Sequence, residues 1–209
     1  NGNWKEETIK SFGSTNHIEV QKYGLKGLVG KRKVDLVIGG PPCQAYSIAG
    51  RTQDKNSMKD DYRNYLFESF IKVVEEFQPS VFVFENVPGM LSACPGDKKV
   101  TERIYEYFYE HGYDIKKPEE LKSVVLSASD FGVPQKRERV IIVGIKRTCK
   151  TKGFNLKTIY EEINRQKIKN PITLRQAIGH LPKFVPSKTI TTINGRKTSH
   201  VPVNKNEII

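Results

Sequence analysis

Val34-Asp35-Leu36-Val37-Ile38-Gly39-Gly40-Pro41-Pro42-Cys43-Gln44 is a run of β-formers halted by paired glycines and prolines. It reads as a buried strand feeding a loop at its carboxyl end. In open α/β sheets ligands bind at that end, so Cys43 is presented to a site. The prolines stiffen the loop, and the glycines let the backbone pass close to a ligand. Taken alone, the stretch better suits a Gly-Pro-Pro turn with a small buried thiol; the rest of the chain overturns that.

The chain on either side of this stretch builds a sheet around it. Residues 45–63 are polar and basic, long for a connection in a compact domain, and suit a loop that closes over a site. From Asn64 to Phe77, Leu66, Phe70, Val73, Val74 and Phe77 recur at three and four, which predicts an amphipathic helix ended by Pro79. Val81-Phe82-Val83-Phe84 predicts a second buried strand, delivering Glu85-Asn86-Val87 at its end. Strand, helix and strand make a βαβ unit with parallel strands, so Cys43 and Glu85 are expected at one sheet edge. Val100, Ile104, Tyr107 and Phe108 mark a further helix stopped near Gly112. Leu121 to Ser127 and Val140 to Ile145 read as two strands of an elaborated hairpin, and Thr173 to Leu181 as a short helix capped by Thr173. Before residue 33 the pattern is weak: Trp4, Ile9 and Phe12 suit one helical face, Ile18-Glu19-Val20 a short strand.

Bulk properties narrow the class. The chain has 209 residues, 37% of them hydrophobic, enough to bury a core, and a mean hydropathy of −0.52. No run approaches a membrane span, and the start is not a signal peptide. Cys43, Cys94 and Cys149 lie far apart without Cys-x-x-Cys spacing, which speaks against a zinc site or a disulfide framework and for a reducing, cytoplasmic setting. The net charge is +12. From Lys146 to Lys205 there are fourteen Lys/Arg against Glu161 and Glu162, while the residues before are nearly balanced. A basic segment on a neutral body fits a polyanion-binding arm.

Three stretches come in order, each at the end of a predicted strand: Gly-Gly-Pro-Pro-Cys-Gln at 39–44, Glu-Asn-Val at 85–87 and Gln-Lys-Arg-Glu-Arg at 135–139. Together with residues 45–50, 61–67 and 126–134, this set closely resembles the DNA (cytosine-5) methyltransferase family in its prokaryotic restriction–modification form, over residues 33–182. The fold implied is α/β, a Rossmann-like S-adenosylmethionine-dependent methyltransferase sheet. The resemblance casts Cys43 as the nucleophile that adds to C6 of cytosine. Glu85 becomes a buried acid at N3, Arg139 the residue holding the base and Glu85, and Arg137 a phosphate contact. Pro42 and Leu66 correspond to cofactor-lining positions. The mobile loop, with Gln44, Ser47 and Arg51, would meet DNA. The implied methyl donor is S-adenosylmethionine and the implied partner is double-stranded DNA, with the target cytosine flipped out of the helix.

The family's opening glycine-rich acidic loop and its ribose-binding acid have no counterpart in residues 1–32, and its closing Gly-Asn motif has none either. The chain therefore reads as a poorly patterned segment (1–32), the central part of a catalytic domain (33–182) and a basic segment leading toward a target recognition domain (183–209). The fold is expected to be incomplete at both ends, as in a fragment or one subunit of a split enzyme with a complementary partner. Little methylation by this chain alone is expected. The competing readings are a non-catalytic DNA-binding or regulatory remnant of such an enzyme and an RNA cytosine-5 methyltransferase; the latter lacks its Cys-Phe-Thr signature here.

Overall fold

The computed structural model describes residues 22–42, 66–95, 97–181, 184–193 and 196–202. The readings placed on residues 1–21 and on the loop 45–63 lie outside these. The chain divides into two compact units, one formed by residues 1–127 and 138–166, the other by 128–137 and 167–209.

The first unit is built on β1 (Leu36–Gly39), β2 (Val81–Asn86), β3 (Tyr113–Asp114), β4 (Val125–Ser127) and β5 (Glu138–Lys146). β1 and β2 are parallel, with Leu36 opposite Val81 and Gly39 opposite Phe84, as a βαβ unit requires. β5 runs antiparallel to β2, and on its other side pairs with β3 at one end and β4 at the other. The helix between β1 and β2, α1, is described over Leu66–Phe77, within the range that the periodicity predicts. α2 (Val100–Glu110) stops ahead of Gly112, whose φ of 83° suits a residue without Cβ.

β2 alternates cleanly. Phe82, Phe84 and Asn86 are buried, while Val81, Val83 and Glu85 are half-buried. Phe70 of α1 meets Phe82 and Phe84 edge to face, at 5.8 and 5.2 Å between ring centroids, and Phe108 of α2 packs on Phe82 at 4.1 Å. This aromatic cluster, with Val74, Ile104, Tyr113, Ile142 and Ile145, is the core.

Three expectations are corrected. β1 is not buried: Leu36 and Ile38 are 49% and 68% exposed, because among the described strands β1 pairs only with β2 and the face carrying these side chains is left open. The segment from Leu121 begins as a 3-10 turn, Pro118–Val124, and becomes strand only at Val125. Pro118 fixes the first position of that turn, and the Glu120 carboxylate accepts from the Lys117 N–H, so the chain turns before it extends. A helix with no counterpart in the reading, α3 (Leu156–Arg165), follows β5. Its Asn155 cap accepts from the Thr158 N–H at 3.1 Å, and Thr158 answers by accepting from the Asn155 N–H.

α3 also completes the sheet. β3 and β4 leave residues 141–144 of β5 without a strand on that side. The buried Tyr160 hydroxyl fills the gap, accepting from the Val143 N–H at 2.9 Å and donating to the Ile141 carbonyl at 3.0 Å. Burial pushes its phenol up to about 12.

The second unit contains a 3-10 turn, Ala128–Phe131, the short helix α4 (Leu174–Ile178) and an antiparallel hairpin, β6 (Phe184–Ile193) with β7 (Arg196–Pro202). α4 is capped by Thr173, as expected, through a 3.2 Å bond from the Gln176 N–H. The hairpin had no counterpart in the reading of the basic segment. No helix among the described residues is long and apolar enough to cross a membrane.

Candidate active site

Of the site candidates, Pro42, Glu85 and Arg139 lie at the carboxyl edge of β1 and β2. Cys43, Gln44, Ser47 and Arg51 lie outside the described residues, as does the side chain of Leu66, whose backbone opens α1. Pro42, the last described residue before Cys43, is exposed beyond β1.

Glu85 is the penultimate residue of β2 and stands opposite Ile141 of β5. Arg139 is two residues before Ile141, so it lies diagonally across from Glu85 on the same sheet face, within reach of a long side chain. The pair forms: Arg139 Nε lies 2.6 Å from Glu85 Oε1, and Arg139 Nη1 donates to the Glu138 carbonyl at 2.7 Å. The guanidinium is thereby anchored at two points and orients the carboxylate. Glu85 is not the buried acid that the resemblance implies. Its side chain is 38% exposed, because it ends the strand on the half-buried face, away from α1 and α2.

The second carboxylate oxygen, Oε2, faces the backbone beyond β1. A Cβ on Gly40 would stand 2.5 Å from it, so that the carboxylate would have to move aside. The next residue of β2, Asn86, is 2% exposed and reaches the same loop from the opposite face of the strand. Its Nδ2 donates to the Pro41 carbonyl at 3.4 Å, and its Oδ1 accepts from the Val87 N–H at 2.9 Å. The sequence pointed to the paired glycines as a place of close approach, but gave Asn86 no role of its own. Its signal was there, since a polar residue on the buried phase of an apolar strand needs a partner.

Arg137 belongs to the second unit. Its side chain is exposed, and its backbone closes a turn in which the Ala128 N–H donates to the Arg137 carbonyl at 2.9 Å. In the same unit the Ile168 N–H donates to the Asp130 carbonyl at 2.8 Å.

The methyl donor implied by the motifs finds little to hold it among the described residues. Pro42 offers an exposed apolar surface, but the one carboxylate on β1 and β2, Glu85, is engaged by Arg139. These residues do not by themselves make its site.

Comparison with known proteins agrees with the motif order. The family model of the C-5 cytosine-specific DNA methylases matches residues 4–208. The Type II methyltransferase M.Bpa9945I of Bacillus paralicheniformis is 44% identical over 159 residues, covering 74% of this chain and 34% of that protein. The Type II methyltransferase M.MthTI of Methanothermobacter thermautotrophicus is 36% identical over 197 residues, covering 93% of this chain and 53% of its own length. Among solved structures, a DNA modification methyltransferase encoded within an E. coli prophage superposes with a TM-score of 0.56 at 28% identity, over 81% of this chain and 41% of that one. The chain thus spans between a third and about half the length of these curated relatives. With a family match over nearly its whole length, and with Glu85 and Arg139 of its motifs paired at one edge of a mixed α/β sheet, the chain belongs to the C-5 cytosine-specific DNA methylase family.

Proposed function

We propose that the chain carries the reactive half of a site that methylates C5 of cytosine in double-stranded DNA, with S-adenosylmethionine as donor and a covalent Cys43–C6 adduct as intermediate. The observation that supports the reading is the Glu85–Arg139 pair. One carboxylate oxygen is held by a guanidinium, while the other faces the backbone from which the Cys43 loop departs. Because the chain spans only part of its relatives, the full reaction is assigned to it in company with the remaining polypeptide of such an enzyme, on the same chain or on a complementary subunit.

C5 of cytosine is too weak a nucleophile to take a methyl group directly. The Cys43 thiolate forms a bond to C6, and the electron pair of the C5–C6 double bond becomes available at C5. Glu85 donates a proton to N3 as addition proceeds and takes it back on elimination. Arg139 keeps Glu85 aimed and offers its remaining N–H groups to O2 of the base. After methylation, C5 loses its proton to a base and the thiolate departs, restoring the ring. Flipping the cytosine out of the duplex costs a few kcal/mol in stacking and pairing, which Gln44, Ser47, Arg51 and, at the phosphates, Arg137 would help offset.

Duplex DNA containing 5-fluorocytosine tests the reading, because fluorine at C5 blocks the final elimination. With S-adenosylmethionine and the remaining polypeptide of such an enzyme present, an SDS-stable protein–DNA adduct is expected with the parent Cys43 and none with Cys43→Ser. Absence of an adduct from the parent, or its survival in Cys43→Ser, overturns the assignment.

A further inference from the structure

We propose that Gly40 and Asn86 are the positioning residues of this site, together fixing how the backbone of residues 40–42, which leads into Cys43, stands against the Glu85 carboxylate. The purpose of this arrangement rests on the function proposed above; the observations behind it are separate. The parallel ladder between β1 and β2 ends at Gly39 opposite Phe84. Beyond that point the Asn86 carboxamide continues the tie. Its Oδ1 is engaged by the Val87 N–H at 2.9 Å, which fixes the plane of the amide and turns Nδ2 toward the Pro41 carbonyl, 3.4 Å away. The bond joins residues 45 positions apart in sequence, and it secures the loop one residue before Pro42 and two before Cys43.

Asn86 sits on the buried phase of β2, alongside Phe82 and Phe84. An apolar side chain of the same size would bury there without needing partners, so what the amide adds is a fixed loop. Gly40 acts in the complementary direction. A Cβ there would lie 2.5 Å from Glu85 Oε2 and push the carboxylate away from the position in which Arg139 holds it, so its absence lets the backbone of residues 40–42 and the paired carboxylate stand side by side. One residue draws the loop in, and the other leaves room for it.

The test is the pH–rate profile for alkylation of Cys43 by iodoacetamide, in a chain carrying Cys94→Ser and Cys149→Ser, without DNA or methyl donor. Asn86→Asp keeps the size of the side chain and the acceptor for the Val87 N–H, but sets an oxygen against the Pro41 carbonyl. Gly40→Ala adds one carbon. Ile142→Val removes one carbon from a fully buried core residue and serves as the destabilised control. The alkylation rate at pH 7.5 is expected to change by about fivefold or more in both site variants, the size expected for one lost hydrogen bond or its steric equivalent, and to stay at the parent value in the control. Should Asn86→Asp fail to fold, Gly40→Ala decides alone. Profiles that superimpose on the parent, or a control that shifts equally, overturn the proposal. The assay needs no catalysis, so failure of the 5-fluorocytosine adduct leaves its outcome standing, and the reverse holds too.

Discussion

Tyr160→Phe removes one oxygen and exposes what α3 contributes to the sheet. In the native fold that hydroxyl is shared between the Val143 N–H at 2.9 Å and the Ile141 carbonyl at 3.0 Å, at the stretch of β5 that neither β3 nor β4 reaches. Phenylalanine keeps the ring and its packing, so the change reads the hydrogen bonds alone. An orphaned buried backbone group costs about 1–3 kcal/mol, and the carbonyl, with its second lone pair, falls toward the lower end. A loss of about 2–3 kcal/mol is therefore expected in urea unfolding followed by circular dichroism, with the slope unchanged. Tyr109→Phe, at a ring that is 52% exposed, serves as the control and should move the midpoint little. The refuting result is a loss below about 0.5 kcal/mol, the range of neutral surface changes. That would mean water replaces the hydroxyl, entering from the cavity of about 450 Å³ that Tyr160 helps to line with Ile115, Lys116 and Asn164. The consequence reaches the site, because Arg139 stands only two residues from Ile141 on the same strand.

Tyr107, Tyr113 and Tyr160 are all pushed up to about 12, chiefly by burial. A phenol raised in the fold above its unfolded value of about 10 stabilises fully below pH 10 and loses that contribution as pH rises toward 12, so the unfolding midpoint should fall across that window and fall less steeply in Tyr160→Phe. Gly144→Ala places a Cβ inside the ring of Phe82, which is itself locked by Phe70, Phe108 and Tyr113. A loss of about 3 kcal/mol is expected in the same urea assay, and a neutral outcome would mean that the aromatic cluster yields. If the Lys/Arg-rich residues 146–205 bind DNA through phosphates, affinity measured by fluorescence anisotropy should drop more than about tenfold between 50 and 200 mM salt, whereas a flat salt dependence removes them from the interface.

Much of the secondary structure was legible because its signals are local. The alternation of Val81 to Phe84, the three–four spacing from Leu66 to Phe77 and the Thr173 cap each depend on neighbours in sequence, and each appears in the structure. What could not be read depends on distant partners. A continuous apolar run such as Leu36-Val37-Ile38 looks the same whether a strand is central or open on one face, and here Ile38 is 68% exposed. The meeting of Glu85 with Arg139 was implied only by the family resemblance, since the register behind it, Glu85 opposite Ile141, is one that no local pattern specifies. α3 carries Leu156, Ile159, Tyr160 and Ile163 at helical spacing, but the lysines and glutamates among them give the stretch the composition of a solvated segment.

The order of the motifs placed a thiol, a carboxylate and two arginines in one family pattern, and the sheet brings the carboxylate and Arg139 together on one face. The most direct test is to digest the SDS-stable adduct formed with 5-fluorocytosine DNA and locate the modified peptide by mass spectrometry. A single modified peptide containing Cys43 is the predicted result. Modification at Cys94 or Cys149 would contradict the account.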